Sequence, residues 1–350
     1  MKALVCHAPR DLRIDTLPDE ELGPTQLRVK VAYGGICGSD LHYFQHGGFG
    51  TVRIKHPMVL GHEVSGVISE VGSAAQSFAV GQHIAVSPSR PCGQCRYCQK
   101  GHHNQCLDMR FYGSAMRTPH IHGAFCDELI IEASQAHVVS KRLSLSVAAL
   151  VEPLSVGLHA ITRAGGVFGK QVLVTGCGPI GVLLIAGLRR AGAAHIVAAD
   201  LSDKALACAK EMGANETLNL STHPEALAAF SGNKGHFDVM FEASGSAKAL
   251  ASGLEAVAPR GIVVTIGLGG DVPLPMNMLV AKELELRGTF RFHEEFAVAA
   301  RFLDEGLIDA SPVISHVLNM SNAIEAFELA ADKTQAMKVQ IKFSNELAEA

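Results

Sequence analysis

The stretch that decides the fold is VLVTGCGPIGVLL, residues 172–184. Val172 to Thr175 read as a buried strand, and the chain from Pro179 onward reads as a helix. Between them Gly176, Gly178 and Gly181 stand in G-x-G-x-x-G spacing. Glycine triplets are weak evidence in a glycine-rich chain. A triplet that closes a strand and opens a helix is the context in which the spacing has a mechanical meaning. The first glycine permits the tight turn, the second lets the backbone approach a pyrophosphate, and the third lets helix lie on strand. The helix start, at Pro179 and Ile180, offers free N–H groups and a positive dipole end to phosphate. Asp200 ends the next apolar strand, 24 residues after Gly176, where an acid accepts hydrogen bonds from an adenosine ribose.

Outward from that turn, strand and helix alternate. HIVAAD, FDVMFEAS and RGIVVTIG are continuous apolar strands, and SDKALACAKEMGA (Ser202 as N-cap) and SAKALASGLEAVA are helices. Such strands belong to a parallel sheet covered on both faces, so residues 151–290 are expected to form a doubly wound α/β domain. Residues 1–150 have another texture, with short β-like runs (QLRVKVAYG, EVSGVISEVG, QHIAVSP) between turn residues, and read as a mainly-β domain. In the tail, 291–350, two amphipathic helices precede the strand-like AMKVQIKF, with Ser321 at the start of the second. The pattern leaves open whether this tail extends the sheet or returns to the first domain.

Composition narrows the function classes. Of 350 residues 48% are hydrophobic and 18% charged, enough for packed cores, and a net charge of −4 provides no basic excess for nucleic acid or an anionic membrane. The opening MKALVCHAPRDLRID has no apolar signal region, and GVLLIAGL is too short to span a bilayer. A cytoplasmic protein is expected, in which nine cysteines serve metal or catalysis before disulfides.

Four of those cysteines, Cys92, Cys95, Cys98 and Cys106, follow C-x2-C-x2-C-x7-C. Thiolates at that spacing wrap a tetrahedral zinc ion and fill every position, which staples a loop and leaves no place for substrate. An iron–sulfur cluster is the alternative, although the spacing is not that of the usual ferredoxins. A fifth, Cys37, lies in GGICGSDLHYF, residues 34–44, a segment whose glycines argue against a helix. It needs partners to act as a ligand. His62 and Glu63 in LGHEVSG and Glu152 in LVEPLSVGLHA offer an imidazole and a carboxylate, a set suited to an open, catalytic zinc site.

Together, GGICGSDLHYF, LGHEVSGVI, the four-cysteine loop, VEPLSVGLHA, VTGCGPIG and LRGTFRF occur in the order seen in zinc-dependent medium-chain dehydrogenases. The chain resembles that family along essentially its whole length, and within it the polyol branch that includes sorbitol dehydrogenase. The resemblance implies a GroES-like catalytic domain, completed by the C-terminal tail, around an inserted Rossmann domain, with the active site in the cleft. It implies two Zn²⁺ per chain, a catalytic one on Cys37, His62 and either Glu63 or Glu152, and a structural one on the four-cysteine loop. NAD is expected over NADP because Asp200 would repel a 2′-phosphate, with Lys204 blunting the discrimination.

Cofactor contacts are implied also at Gly267, Leu268 and Phe290, and a proton path through Ser39 and His42. Tyr43, Glu152, Arg291 and Phe292 fall at positions lining the polyol site. Phe292 replaces the tyrosine common in sorbitol dehydrogenase, and Ala205 replaces an arginine near the cofactor ribose. The expected reaction oxidises a secondary hydroxyl of a sugar acid or polyol, with L-idonate going to 5-keto-D-gluconate. Arg291 is the expected anchor for the carboxylate, with Arg110, Arg117 and His46 as further candidates. Sorbitol or L-threonine oxidation on the same scaffold, and a non-catalytic nucleotide sensor, are the competing readings. A homo-oligomer, dimer or tetramer, is expected.

Overall fold

The computed structural model describes residues 1–267 and 269–344, which divide into two compact units. One comprises Met1–Glu152, Phe296–Gly306 and the chain from Ile314; the other comprises Pro153–Glu295 and Leu307–Val313. The segment expected to begin the tail at 291 is thus shared between the two. Glu295 is held in the second unit by His159, whose Nδ1 lies 3.0 Å from its carboxylate. The Pro312 carbonyl meets the Cys208 thiol of the same unit.

In the second unit six strands form one parallel sheet in the order Glu216–Asn219, His195–Asp200, Gln171–Thr175, Phe237–Glu242, Val257–Thr265, Glu285–Gly288. Numbered along the chain that order is 3-2-1-4-5-6, the doubly wound arrangement. The central strands carry apolar residues on both faces, and Val172, Leu173, Val174, Ile196, Val197 and Ala198 are all fully buried. Helices Pro179–Arg190, Asp203–Glu211 and Ala247–Ala256 connect them, the latter two capped by Ser202 and Ser246 accepting from Ala205 and Ala249 N–H.

The first unit is built on a seven-stranded sheet. Its main path runs Ala136–Val139, His83–Val86, Glu63–Val71, Gln26–Gly35, Lys338–Lys342, Ile314–Asn319, with Glu128–Glu132 also paired to Gln26–Gly35. All of these pairings are antiparallel except that of the last two strands. The strand expected from AMKVQIKF therefore returns to the first unit, lying against Gln26–Gly35 with Gln340 opposite Gly35. On the other side of that strand, Gly35 faces Glu63. Three chain segments distant in sequence meet at this one register.

Two local expectations are corrected. GGICGSDLHYF holds a helix, Gly38–His46, despite its glycines. Cys37 takes the extended N-cap conformation, and Asp40, the third helical residue, accepts from the Cys37 N–H at 3.0 Å, the reciprocal arm of a capping box. Gly47, left-handed at φ 68°, ends it. In the tail, Asn322 and not Ser321 precedes the helix Ala323–Ala331, because Met320–Asn322 form a short 3-10 turn.

Candidate active site

Cys37, His62 and Glu63 bring a sulfur, a ring nitrogen and a carboxylate oxygen within 4.8 Å of one another. Each is placed by a different constraint. Cys37 sits at the positive end of the helix, which favours a thiolate. Burial nevertheless pushes its pKa up to about 11, helped by the nearby Glu63 charge. A bound cation reverses that balance.

Asp40 is fully buried and joins two of the segments. One carboxylate oxygen accepts from the Cys37 N–H and the other from the Gly61 N–H, each at 3.0 Å. The backbone entering His62 is thereby tied to the Cys37 cap. His62 is buried, and among the described residues its Nδ1 has no hydrogen-bond partner; Asp40 Oδ1, at 3.7 Å, is beyond hydrogen-bond range. A buried polar atom left in this way beside a thiol and a carboxylate suits a site that takes a cation.

Glu63 lies over Gly35, where a Cβ would overlap its carboxylate. Both Glu63 oxygens accept from Lys338 Nζ at 2.8 Å, and Nζ also donates to the Ile36 carbonyl at 3.1 Å. Glu152, which ends the first segment of the first unit, is buried as well. It falls outside the 4.8 Å set but feels the charges of His62, Glu63 and Cys37, and burial pushes its pKa up to about 8.

The four-cysteine loop is closed. The sulfurs of Cys92, Cys95, Cys98 and Cys106 lie within 4.8 Å of one another, and those of Cys95 and Cys98 are 3.6 Å apart. Sulfurs at about 2.3 Å from a tetrahedral zinc lie about 3.8 Å apart, so the donor set fits that ion. Backbone N–H groups of Cys92 and Asp108 donate to the Cys106 sulfur, and that of Cys95 to the Cys92 sulfur. All nine cysteines are free of disulfides.

In the second unit the glycine turn has the expected mechanics. Gly176, at φ 89°, leaves no room for a Cβ, which would lie 2.5 Å from the Ser244 nitrogen, and a Cβ at Gly181 would overlap the Gly176 carbonyl. A Cβ at Gly178 would meet nothing within 4 Å, so that side of the turn is open to a phosphate. Pro179 and Ile180 begin the helix behind it. Asp200 accepts from the N–H groups of Cys177, Leu201 and Ser202 at 2.7–2.9 Å, which fixes its carboxylate at the strand end. Lys204 is exposed on the helix that follows, and Ala205 is buried. Gly267 abuts Gly245, and Leu268 lies outside the described residues.

The remaining expected residues are scattered. Ser39 is half-buried and His42 exposed, one turn apart on the helix behind Cys37. Tyr43 is 1% exposed, and its hydroxyl accepts from the Ala115 N–H at 3.0 Å. The Arg291 guanidinium lies 4.8 Å from the centre of the Phe290 ring, and Phe292 is buried. His46 packs near His42, whereas Arg110 and Arg117 line a cavity that includes none of the metal-set residues. Sequence reading missed Lys338, Asp40 and Gly35. Asp40 had a signal, since an acid three residues after Cys37 is capping-box spacing. A lysine inside an apolar strand was the only hint of Lys338.

Residues 23–141 match the alcohol dehydrogenase GroES-like domain, and residues 179–305 match the zinc-binding dehydrogenase domain. The chain is 43% identical to L-idonate 5-dehydrogenase (NAD(P)(+)) of Escherichia coli K12, over 90% of this chain and 91% of that one. It is 33% identical to sorbitol dehydrogenase of Bacillus subtilis, over 97% of both chains. The crystal structure of L-idonate 5-dehydrogenase from E. coli K-12 superposes with a TM-score of 0.93 at 40% identity, covering 97% of each chain.

Proposed function

Since this chain belongs to the zinc-dependent medium-chain polyol dehydrogenases, enzymes that oxidise a CH–OH group, we propose that its substrate is L-idonate, oxidised at C5 to 5-keto-D-gluconate with NAD⁺. Zinc and a nicotinamide cofactor come with the family; two ions per chain and NAD over NADP belong to the proposal. The observation that carries the catalytic part is the convergence of Cys37, His62 and Glu63 within 4.8 Å.

Bound zinc would supply a Lewis acid that lowers the pKa of a substrate hydroxyl. Cys37, His62 and Glu63 would hold the ion, with Glu152 as the neighbouring acid, and the four-cysteine loop would hold a second ion with a structural role. Lys338 fixes Glu63 in place by donating to both of its oxygens. Asp40 holds the Cys37 cap and the Gly61–His62 turn in one arrangement. Ser39 and the exposed His42 are the proposed exit for the hydroxyl proton. Gly178, Pro179, Ile180 and Asp200 would seat the dinucleotide, with Gly267 and Phe290 beside it. Tyr43 and Phe292 are proposed as substrate-contacting residues on the family resemblance alone. Arg291 is proposed as the carboxylate anchor, because a bidentate arginine–carboxylate pair, worth about 1.5–3 kcal/mol, outweighs a neutral hydrogen bond of about 1 kcal/mol.

A homo-oligomer remains part of the reading. The sheet ends at Glu285–Gly288, and Leu286, Val280 and Met276 are exposed, which is apolar surface at an unpaired edge. Nine unbridged cysteines suit a reducing, cytoplasmic setting.

The test compares L-idonate with its uncharged alditol in wild type and Arg291→Gln, alongside sorbitol and L-threonine. The variant should lose activity mainly on the acid. Equal loss on both substrates removes Arg291 as the anchor, and a wild-type preference for the alditol overturns the sugar-acid reading. Cys37→Ser should abolish turnover in a folded protein, whereas Cys95→Ser should lower stability, because metal binding at a closed site contributes folding free energy.

A further inference from the structure

We propose that the cavity lined by Arg90, Arg110 and Arg117 is a second, non-catalytic site that binds a phosphate-class oxyanion, either free or as the monoester of a small metabolite. The cavity encloses about 380 Å³ and is lined also by Tyr112, Thr118 and Gln135. That is room for a small molecule.

The arrangement of the arginines is what calls for an anion. Arg110 and Arg90 are directly opposite one another in the antiparallel pair Arg110–Phe111 and Ser89–Arg90. Like charges facing each other across a ladder are destabilising unless something compensates. Arg117 brings a third guanidinium to the same cavity from the following loop. Two of the three have carboxylate partners: Arg90 lies 3.3 Å from Glu132, which also accepts from Thr25 and Gln26, and Arg117 lies 2.5 Å from Asp108. Among the described residues Arg110 has no ion-pair partner. The lining therefore keeps one uncompensated cation beside two others.

Ligand class follows from donor geometry. A carboxylate presents two oxygens in one plane and is saturated by one or two guanidinium forks. A phosphate group presents three terminal oxygens in a tetrahedral arrangement, enough for one fork from each arginine, with the Thr118 hydroxyl and Gln135 amide as further groups on the lining. The site also has a position in the fold that gives binding a consequence. Arg90 precedes Cys92 by two residues, and Asp108, the partner of Arg117, follows Cys106 by two. An oxyanion bridging these arginines would tie together the two ends of the four-cysteine loop and stabilise the folded chain by mass action.

The experiment is calorimetric titration of the zinc-loaded, cofactor-saturated protein with inorganic phosphate, glycerol 3-phosphate and acetate at constant ionic strength. Thermal melting is followed in parallel. Saturable binding of phosphate or glycerol 3-phosphate is expected, with acetate at least about tenfold weaker. The tighter of the two phosphates identifies the source. Arg110→Gln and Arg117→Gln should each weaken binding by about tenfold or more and remove the phosphate-dependent rise in Tm. Arg110→Lys keeps the charge and loses the fork, so it should fall between. Arg13→Gln, at an exposed arginine outside the cavity, should bind as wild type does. The proposal is overturned by the absence of saturable binding up to about 10 mM, by acetate binding as tightly as phosphate, or by affinity that survives both glutamine substitutions.

Discussion

Lys338 Nζ donates to both oxygens of Glu63, 2.8 Å each, with neither side chain more than 3% exposed. This pair welds the C-terminal strand to the candidate metal set, and its burial sets the cost of breaking it. In Lys338→Met the Glu63 charge loses its partner, and removing one member of a buried pair costs about 3–5 kcal/mol. Chemical denaturation should register that loss. The double variant Lys338→Met, Glu63→Gln should recover much of the stability and none of the turnover. Losses that simply add would mean that the two residues are not energetically coupled.

Asp40→Asn should act on zinc before it acts on the fold. Asn presents one oxygen in place of the two that now accept from Cys37 and Gly61, so one of these segments loses its tether. Outer partners of metal ligands are worth about 10- to 100-fold in metal affinity. If the proposed two ions are bound, competition with a chromophoric chelator should show the one on Cys37, His62 and Glu63 leaving more readily, with the four-cysteine ion unaffected. Wild-type retention of both ions would show that Asp40 does not position the ligands.

Cofactor choice should follow Asp200. A 2′-phosphate about 4 Å from its carboxylate costs roughly 1–4 kcal/mol at effective dielectrics of about 80 to 20, or about fivefold to a thousandfold. Wild type should therefore have the higher kcat/KM with NAD⁺, and Asp200→Ser should narrow the gap by about tenfold or more. Part of the loss with NAD⁺ will be structural, since Asp200 also holds three backbone N–H groups. Equal efficiency of wild type with both cofactors would sink the argument.

Acid stability should report on His159 and Glu295. Burial pushes the Glu295 carboxyl up, but the His159 hydrogen bond and the N–H groups of His293 and Glu295 outweigh it and hold the pKa at about 2. A depressed carboxyl stabilises the fold above its ordinary pKa of about 4.5, and the contribution is lost as pH falls toward about 2. His159→Gln should lower stability at pH 7 by about 1–3 kcal/mol and flatten the decline between pH 4.5 and 2. An unchanged acid limb in the variant would show that this pair is not responsible.

Much of this protein was legible from local pattern. Apolar runs of strand length around VLVTG, HIVAAD, FDVMFEAS and RGIVVTIG specify a parallel sheet, because only a strand covered on both faces has no polar side to show. The G-x-G-x-x-G turn and the four-cysteine loop are equally local. Their functional atoms lie within a few residues of each other, and spacing alone brings them together.

The candidate metal set was legible as a list of residues and not as an arrangement. Whether the strand-like AMKVQIKF extended one sheet or joined another depended on edge pairing, which no periodicity encodes. Pairing of Lys338–Lys342 with Gln26–Gly35 places Lys338 against the Ile36 carbonyl, 302 residues away in sequence, and so supplies the counter-charge of Glu63. The helix behind Cys37 is a smaller instance: its glycines argued against it, and the Asp40 carboxylate, bonded to Cys37 and Gly61, secures it. Sequence thus determined which chemistry the chain carries, through short-range spacing. Tertiary structure decided which charges face one another, because a buried charge is tolerable only where long-range pairing brings its partner.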